Sequence, residues 1–417
     1  LKRRPPHDAL TSRDQEFAHS ELSYIAQNCG RRETRSKFAS IEGQTVEEQI
    51  VRGEEASATD GAGGVAIGAE GCAGIVRLNR PKALNALTTA MRARIAEGFR
   101  RWARDPQTYA VIVASATDRA FCAGGDIKEI AEWGKARPAE ARRSLAEEYA
   151  LNWRLDCFSK PTVSLIDGAV MGSGVGISLY GTHRVAGERY RFAMPEVGIG
   201  LFPDDGVSFA FAAMPDEIGM YLALTGRAIG RADAYRLGLV THCIPAAQFA
   251  EIETAIRDAD PVDPILDDRH ADPGPGELGP LRPIIARCFA ADTVEAIVER
   301  LRAERGEGAA WAEGVLAELA RHAPTSLKIA HRHIRSLRGA DLRTTLIGDY
   351  RLACRCLEAH DFYEGVRAAL IDRDRSPRWQ PARLEDVSEA PLASYFAPLG
   401  TDDLVLASRA EMQAVRK

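Results

Sequence analysis

The sequence predicts an α/β core followed by a mainly helical C-terminal region. Three observations carry that reading. Short apolar runs of strand length alternate with an amphipathic helix and with glycine-rich turns between residues 71 and 200. From Asp260 the texture changes, and Asp260 to Pro283, rich in Pro, Asp and Gly, reads as a loop or linker. Four helical stretches follow, at 294–305, 309–321, 326–337 and 342–358. The chain therefore divides into residues 1–66, an α/β core over 67–260, and a helical region over 261–417.

Taken in order, Gly74-Ile75-Val76-Arg77-Leu78 reads as a strand and Asn79-Arg80-Pro81 as the turn after it. Leu84, Leu87, Met91, Ile95, Phe99 and Trp102 recur at steps of three and four, which is one apolar face of a helix. Asp105-Pro106 ends that helix, because the residue before a proline is pushed out of the helical region. Ala110 to Ala114 and Pro161 to Ile166 read as buried strands, and Arg184 to Ala186 and Arg191 to Ala193 as two shorter ones.

Composition narrows the class. The chain has 417 residues, 45% hydrophobic and 27% charged, which suits a globular protein with a sizeable core in one large or two smaller domains. Fifty-four Lys and Arg against 59 Asp and Glu leave a formal charge of -5, which gives no electrostatic case for nucleic-acid binding. No apolar run approaches the roughly 18–20 residues that span a bilayer, so no membrane crossing is expected. The eight cysteines are scattered without a CxxC pair, and a chain of this length does not need disulfide staples, so a cytoplasmic location is expected.

Residues 1–66 carry charged clusters such as Lys2-Arg3-Arg4, few aliphatic runs, and a small-residue stretch from Ala56 to Gly64. Such a segment buries too little apolar surface to offset its chain entropy, so it is expected to be disordered. It lacks the apolar stretch of a secretory signal, and its acids argue against an organellar presequence. The first methionine is Met91, and the leader is expected to be a dispensable extension or the product of a mis-set start.

Four segments could carry chemistry. Phe121-Cys122-Ala123-Gly124-Gly125-Asp126-Ile127 places two glycines and an acid between a strand and a helix, where exposed backbone N–H groups suit an anion or a developing oxyanion. A glycine turn with an Asp N-cap explains the same pattern. Asp167 to Gly176 is a second strand-to-helix glycine turn. Its spacing lacks the full GxGxxG, and no acid follows at the expected distance, so a dinucleotide site has little support.

In the third segment, Met194 to Gly206, Glu196 and Asp204 bracket an apolar stretch. A carboxylate among such neighbours is partly desolvated, which raises its pKa and prepares it as base or nucleophile. A capping Glu and a turn Asp are the plainer alternative. The fourth, His360 to Ala368, reads as an amphipathic helix start. There is no HExxH and no GxSxG, so neither a metal site of that type nor a serine-hydrolase elbow is supported.

Together these segments resemble the crotonase (enoyl-CoA hydratase/isomerase) superfamily from about residue 70 to the C-terminus. The run Arg80-Pro81-Lys82-Ala83-Leu84-Asn85-Ala86-Leu87, then Phe121 to Ile127, Asp167 to Gly176 and Pro195-Glu196, follows that pattern in order. The resemblance implies a spiral of ββα repeats with a helical C-terminal region, binding acyl-CoA thioesters. It places the oxyanion hole at the backbone N–H groups of Gly125 and Ser173, with serine standing where glycine is usual. It places the adenine end of CoA near Lys82, Ala123 and Ile127, and substrate contacts also at Gly124, Asp126 and Gly172. Hydratases of the superfamily carry two glutamates. Here the first aligns with Gly176, so water addition is disfavoured, and only Glu196 is retained.

Met-Pro-Glu followed eight residues later by Asp204 looks like the 3-hydroxyisobutyryl-CoA hydrolase branch of the superfamily. So do Cys288 to Glu295 and, above all, His360 to Ala368 continuing to Ser376-Pro377-Arg378-Trp379. The branch implies hydrolysis of 3-hydroxyisobutyryl-CoA or a similar short 3-hydroxyacyl-CoA in valine catabolism, with Glu196 as nucleophile or base and Asp204 assisting. An enoyl-CoA hydratase/isomerase and a non-catalytic acyl-CoA-binding protein are the alternatives. No cofactor is implied beyond the CoA of the substrate. The expected partner is that small molecule, with no nucleic acid and no membrane, and a homo-oligomer of unfixed number.

Overall fold

The computed structural model describes residues 63–414, so the expected disorder of the leader lies almost wholly outside the described residues. Its last part is an exception. β1 (Val65–Glu70) begins inside the expected extension and forms an antiparallel hairpin with β2 (Ala73–Leu78), in register from Val65 opposite Leu78 to Glu70 opposite Ala73. The turn needs glycine at Gly71, where φ is +55° and a Cβ would stand 2.3 Å from the Arg257 carbonyl oxygen.

β2 pairs in parallel with β3 (Ala110–Ser115), β3 with β5 (Thr162–Ile166), β5 with β7 (His183–Ala186), and β7 with β10 (His242–Cys243). A second, smaller sheet holds β4 (Ala120–Cys122), β6 (Ala169–Met171), β8 (Arg191–Ala193) and β9 (Ile229–Gly230), in that order. Three successive turns, β3–β4, β5–β6 and β7–β8, each lay a strand in the first sheet, a short strand in the second, and then a helix or helical turn. This is the expected spiral of ββα units.

The first long helix, α1 (Thr89–Arg104), starts later than the apolar spacing predicts. The Thr88 hydroxyl caps it by accepting from the Met91 N–H at 3.2 Å. Met91, Ile95, Phe99 and Trp102 form its buried face. Leu84 and Leu87 keep the period but lie outside the helix, because Leu84 and Asn85 adopt φ of 50° and 60°. Asn85 is fully buried. Its amide donates to Ser115 Oγ at 2.8 Å and to the carbonyls of Ala120 and Phe121, tying this turn to β4.

After β4 come α2 (Ile127–Ala136) and α3 (Pro138–Asp156), and α4 (Ser173–Leu179) follows β6. The helices α5 (Val207–Ala212) and α6 (Ile218–Thr225) lead out of the core. The expected linker over 260–283 is only partly irregular. α7 (Val262–Asp267) forms within it because Val262, Ile265 and Leu266 pack into the cluster built on Ile75, Ile112 and Val163.

The helical region then contains α8 (Arg282–Phe289), α9 (Val294–Ala303), α10 (Ala309–Leu319), α11 (Pro324–Ser336), α12 (Leu342–Cys356) and α13 (His360–Val366). It is no separate body. α12 packs on α3, and α13 packs on the helical turn that starts at Glu196. Gly200 and Gly365 allow the latter approach, since a Cβ on Gly200 would stand 2.3 Å from the Asp361 backbone and one on Gly365 2.4 Å from that of Ile199. Among the described residues no helix is long and apolar enough to cross a membrane.

Candidate active site

The four segments singled out in the sequence converge on one cavity of about 630 Å³. Ala123, Gly124, Gly125 and Ile127 line one side and Met171, Gly172 and Ser173 another. Pro195, Glu196, Asp204 and Asp205 line a third, and Phe362 of α13 closes the fourth. The glycines let these loops meet. A Cβ on Gly124 (φ +112°) would stand 3.4 Å from the Met171 carbonyl oxygen, and one on Gly125 2.9 Å from Ser173 Oγ. An isolated bridge fixes the first loop, with the Leu87 N–H donating to the Gly124 carbonyl at 2.8 Å and the Asp126 N–H to the Leu87 carbonyl at 2.9 Å.

Neither the Gly125 nor the Ser173 main-chain N–H has a partner among the described residues. Serine serves as well as glycine at 173, because it opens α4 while the positive φ, +45°, falls on Gly172. Two unengaged N–H groups on neighbouring loops that line one cavity have the composition of an oxyanion hole.

Glu196 lines the same cavity, with Oε1 3.1 Å from where a Cβ on Gly172 would stand; it is 7% exposed, and its Oε2 lacks any partner. Burial first, and the Asp204 carboxyl second, push it well above the ordinary carboxylate range. Asp204 Oδ2 accepts from the Tyr149 hydroxyl at 2.7 Å. Its pKa is pushed up to about 8, by burial and then by the Glu148 carboxyl, with the Tyr149 bond holding it back. Asp205 is buried with φ +55°, and its Oδ1 accepts from Asn152 Nδ2 at 2.6 Å. Burial, Glu148 and Asp204 together hold it well above its usual value.

Sequence reasoning missed Glu148. It lies buried on α3, lines the cavity, leaves Oε1 without a partner and sets Oε2 3.5 Å from Arg92 Nη1. Arg92 is itself buried and also donates to the Leu87 carbonyl at 3.1 Å and to Ser144 Oγ at 2.7 Å. The signal was the stripe Ser144, Glu148, Asn152 at steps of four, polar residues on a face that also carries Ala141, Leu145 and Tyr149. His322 and Arg375 line the cavity as well. His322 Nε2 lies 3.1 Å from the Thr225 carbonyl, and burial lowers the ring's pKa.

Other expected residues fall elsewhere. Asp126 caps α2 by accepting from the Glu129 N–H at 3.3 Å, pairs with Arg80 at 2.8 Å, and does not line the cavity. Lys82 is exposed on the turn before Leu84, which joins the site through the Ala123 N–H to Leu84 carbonyl bond at 3.0 Å, but it does not line the cavity either. At Gly176 a Cβ would stand 2.9 Å from both Asp205 Oδ1 and Asn152 Oδ1. The position where a hydratase carries its first glutamate is therefore filled by a different hydrogen-bonded pair.

The enoyl-CoA hydratase/isomerase family model matches residues 73–396. A rat protein (Rattus norvegicus) named 3-hydroxyisobutyryl-CoA hydrolase, mitochondrial, is 40% identical over 382 residues, covering 88% of this chain and 97% of the relative. The crystal structure of a carnitinyl-CoA dehydratase from Mycobacterium thermoresistibile superposes with a TM-score of 0.77 at 37% identity, covering 82% of this chain and 98% of that one. An enoyl-CoA hydratase from Rhodobacter sphaeroides 2.4.1 gives the same TM-score at 38% identity, covering 82% and 100%. The chain belongs to the enoyl-CoA hydratase/isomerase family and lies in its 3-hydroxyisobutyryl-CoA hydrolase branch.

Proposed function

We propose that the protein hydrolyses 3-hydroxyisobutyryl-CoA, or a similar short 3-hydroxyacyl-CoA, to the free acid and CoA, as a step of valine breakdown. The observation that carries this reading is Glu196, a buried carboxyl with an unpartnered oxygen beside two unengaged backbone N–H groups. The Gly125 and Ser173 N–H groups hold the thioester oxygen as it becomes an oxyanion, a contribution of about 3–4 kcal/mol for each donor. Glu196, once ionised, attacks the carbonyl carbon to give a mixed anhydride, and the C–S bond breaks with its electron pair leaving on the CoA thiolate. Water then opens the anhydride, losing its proton to a neighbouring carboxylate and returning Glu196. Attack of water directly, with Glu196 as base, gives the same products.

Asp204, next to Glu196 and fixed by Tyr149, is assigned to the substrate hydroxyl or to the proton of the attacking water. Glu148, with its free oxygen in the same cavity, is the other candidate for the hydroxyl. Ala123, Gly124 and Ile127 are assigned to the CoA arm on the resemblance, and all three line the cavity.

A panel of short acyl-CoAs tests the reading. Free thiol is expected with 3-hydroxyisobutyryl-CoA and 3-hydroxypropionyl-CoA. Loss of the enoyl absorbance of crotonyl-CoA without thiol release would instead support a hydratase, the activity named for the Rhodobacter sphaeroides protein. Acyl-CoA binding with no turnover would support a binding protein. The cytoplasmic location rests on composition alone and draws no support from relatives whose names place them in mitochondria. Fractionation of the source cells with the thiol assay decides between the two. Homo-oligomerisation is carried over from the resemblance, and sedimentation of the purified chain measures it.

A further inference from the structure

The turn that carries Asp204 is left-handed twice over, with φ of +55° at Asp205 and +75° at Gly206. A backbone of this kind persists only where its surroundings hold it. Inside the core the Tyr180 hydroxyl donates to the Asp205 carbonyl, and Ser208 Oγ donates to the Pro203 carbonyl at 2.6 Å. A Cβ on Gly206 would stand 2.3 Å from the Tyr180 hydroxyl oxygen, so the loop has no room to roll.

The remaining hold comes from the helical region, 143 residues further along the chain. The Gly206 N–H donates to Asp349 Oδ2 of α12 at 2.7 Å. The other oxygen, Oδ1, accepts from His333 Nε2 of α11 at 2.6 Å. Asp349 and His333 are both buried, and the imidazole packs edge-on against Phe202, two residues before Asp204. Both carboxyl oxygens are thus used, one on the catalytic loop and one on the helix that orients the group.

We propose that Asp349, oriented by His333, is a positioning residue for Asp204. It pins the Gly206 N–H and so holds the left-handed Asp205–Gly206 turn that directs the Asp204 carboxyl to Tyr149 and the cavity. This ties the chemistry to the C-terminal helices and rests on the role proposed for Asp204. The plainer reading is that Asp349 only satisfies a buried N–H and adds stability.

Kinetics per folded molecule separate the two. Asp349→Asn keeps an acceptor for Gly206 and is expected to retain kcat within about threefold, whereas Asp349→Ala loses about 30-fold or more with KM and CoA affinity nearly unchanged. In an Asp204→Asn background, Asp349→Ala is expected to add no further loss, because it acts through the carboxyl group already removed. Should Asp349→Ala fail to fold, His333→Leu cuts the same chain more gently and is judged by the same cycle. A wild-type kcat in the folded variant, or a loss that multiplies with that of Asp204→Asn, overturns the proposal. Full activity of Asp204→Asn alone overturns the role of Asp204 first, and the positioning role with it.

Discussion

A side-chain carbon placed on Gly172 would stand 3.1 Å from Glu196 Oε1. The proposed nucleophile therefore rests against the residue that precedes the second oxyanion donor, and the glycine there serves two purposes. Its φ of +45° with ψ of -127° is closed to other residues, and its missing side chain leaves the space the carboxyl occupies. Gly172→Ala is expected to lower kcat about tenfold or more, by displacing Glu196 and by backbone strain of roughly 1–3 kcal/mol. Steady-state thiol release by the folded variant measures it.

The second donor can be removed without removing the helix it begins. Ser173 is the first residue of α4, a position where proline is tolerated because its N–H has no helical partner. Ser173→Pro is expected to cut kcat by about 10²- to 10³-fold, and Ser173→Gly, which keeps the N–H, to stay near wild type. Circular dichroism confirms folding, and thiol release reads the rate.

Asp204 links activity to a pH-dependent cost in stability. Its folded pKa of about 8 lies above the ordinary value of 3.8, so its contribution to stability is fully present below the unfolded value and is lost as pH rises through 8. Asp204→Asn, which cannot ionise, is therefore expected to melt a few degrees higher than wild type at pH 9, with the gap closing toward pH 4. Its residual activity should rise with pH at a lower midpoint than that of wild type, since Asp204 is one cause of the elevated Glu196 titration. Melting curves and kcat/KM profiles from pH 4 to pH 9 report both.

Restoring the missing hydratase glutamate is expected to fail. Asn152 and Asp205 already fill the space beside residue 176, so Gly176→Glu should be overpacked and destabilised by about 1–3 kcal/mol or more, without gaining crotonyl-CoA hydration. Denaturant unfolding and the enoyl absorbance assay check the two halves.

Much of the candidate site was legible before the fold was known, because glycine turns at strand ends and an acid in an apolar run are visible in the sequence. Gly124, Gly125 and Gly172 stood out as glycines of strand-to-helix turns, their place at a substrate came from the resemblance, and Glu196 stood out as an acid in an apolar run. The misses have physical causes. Leu87 continues a helical period, but the left-handed backbone at Leu84 and Asn85 and the extended Thr88 cap keep it outside the helix. β1 reads Val-Ala-Ile-Gly-Ala-Glu, too small and too little alternating to declare a strand until β2 lies beside it. Glu148 sits in a stretch crowded with Arg and Glu that resembles a solvated helix face, which masks the Ser144–Glu148–Asn152 stripe until Arg92 of α1 packs against it. Asp126 shows the converse. Its motif position pointed to the substrate, while its geometry makes it a helix cap paired with Arg80.

The most direct test of the account is Glu196→Gln, which preserves shape and removes the attacking carboxylate. With 3-hydroxyisobutyryl-CoA as substrate, thiol release is expected to fall by on the order of 10²- to 10⁴-fold while CoA binding persists. Thiol release at the wild-type rate would contradict the central claim that this carboxyl does the chemistry.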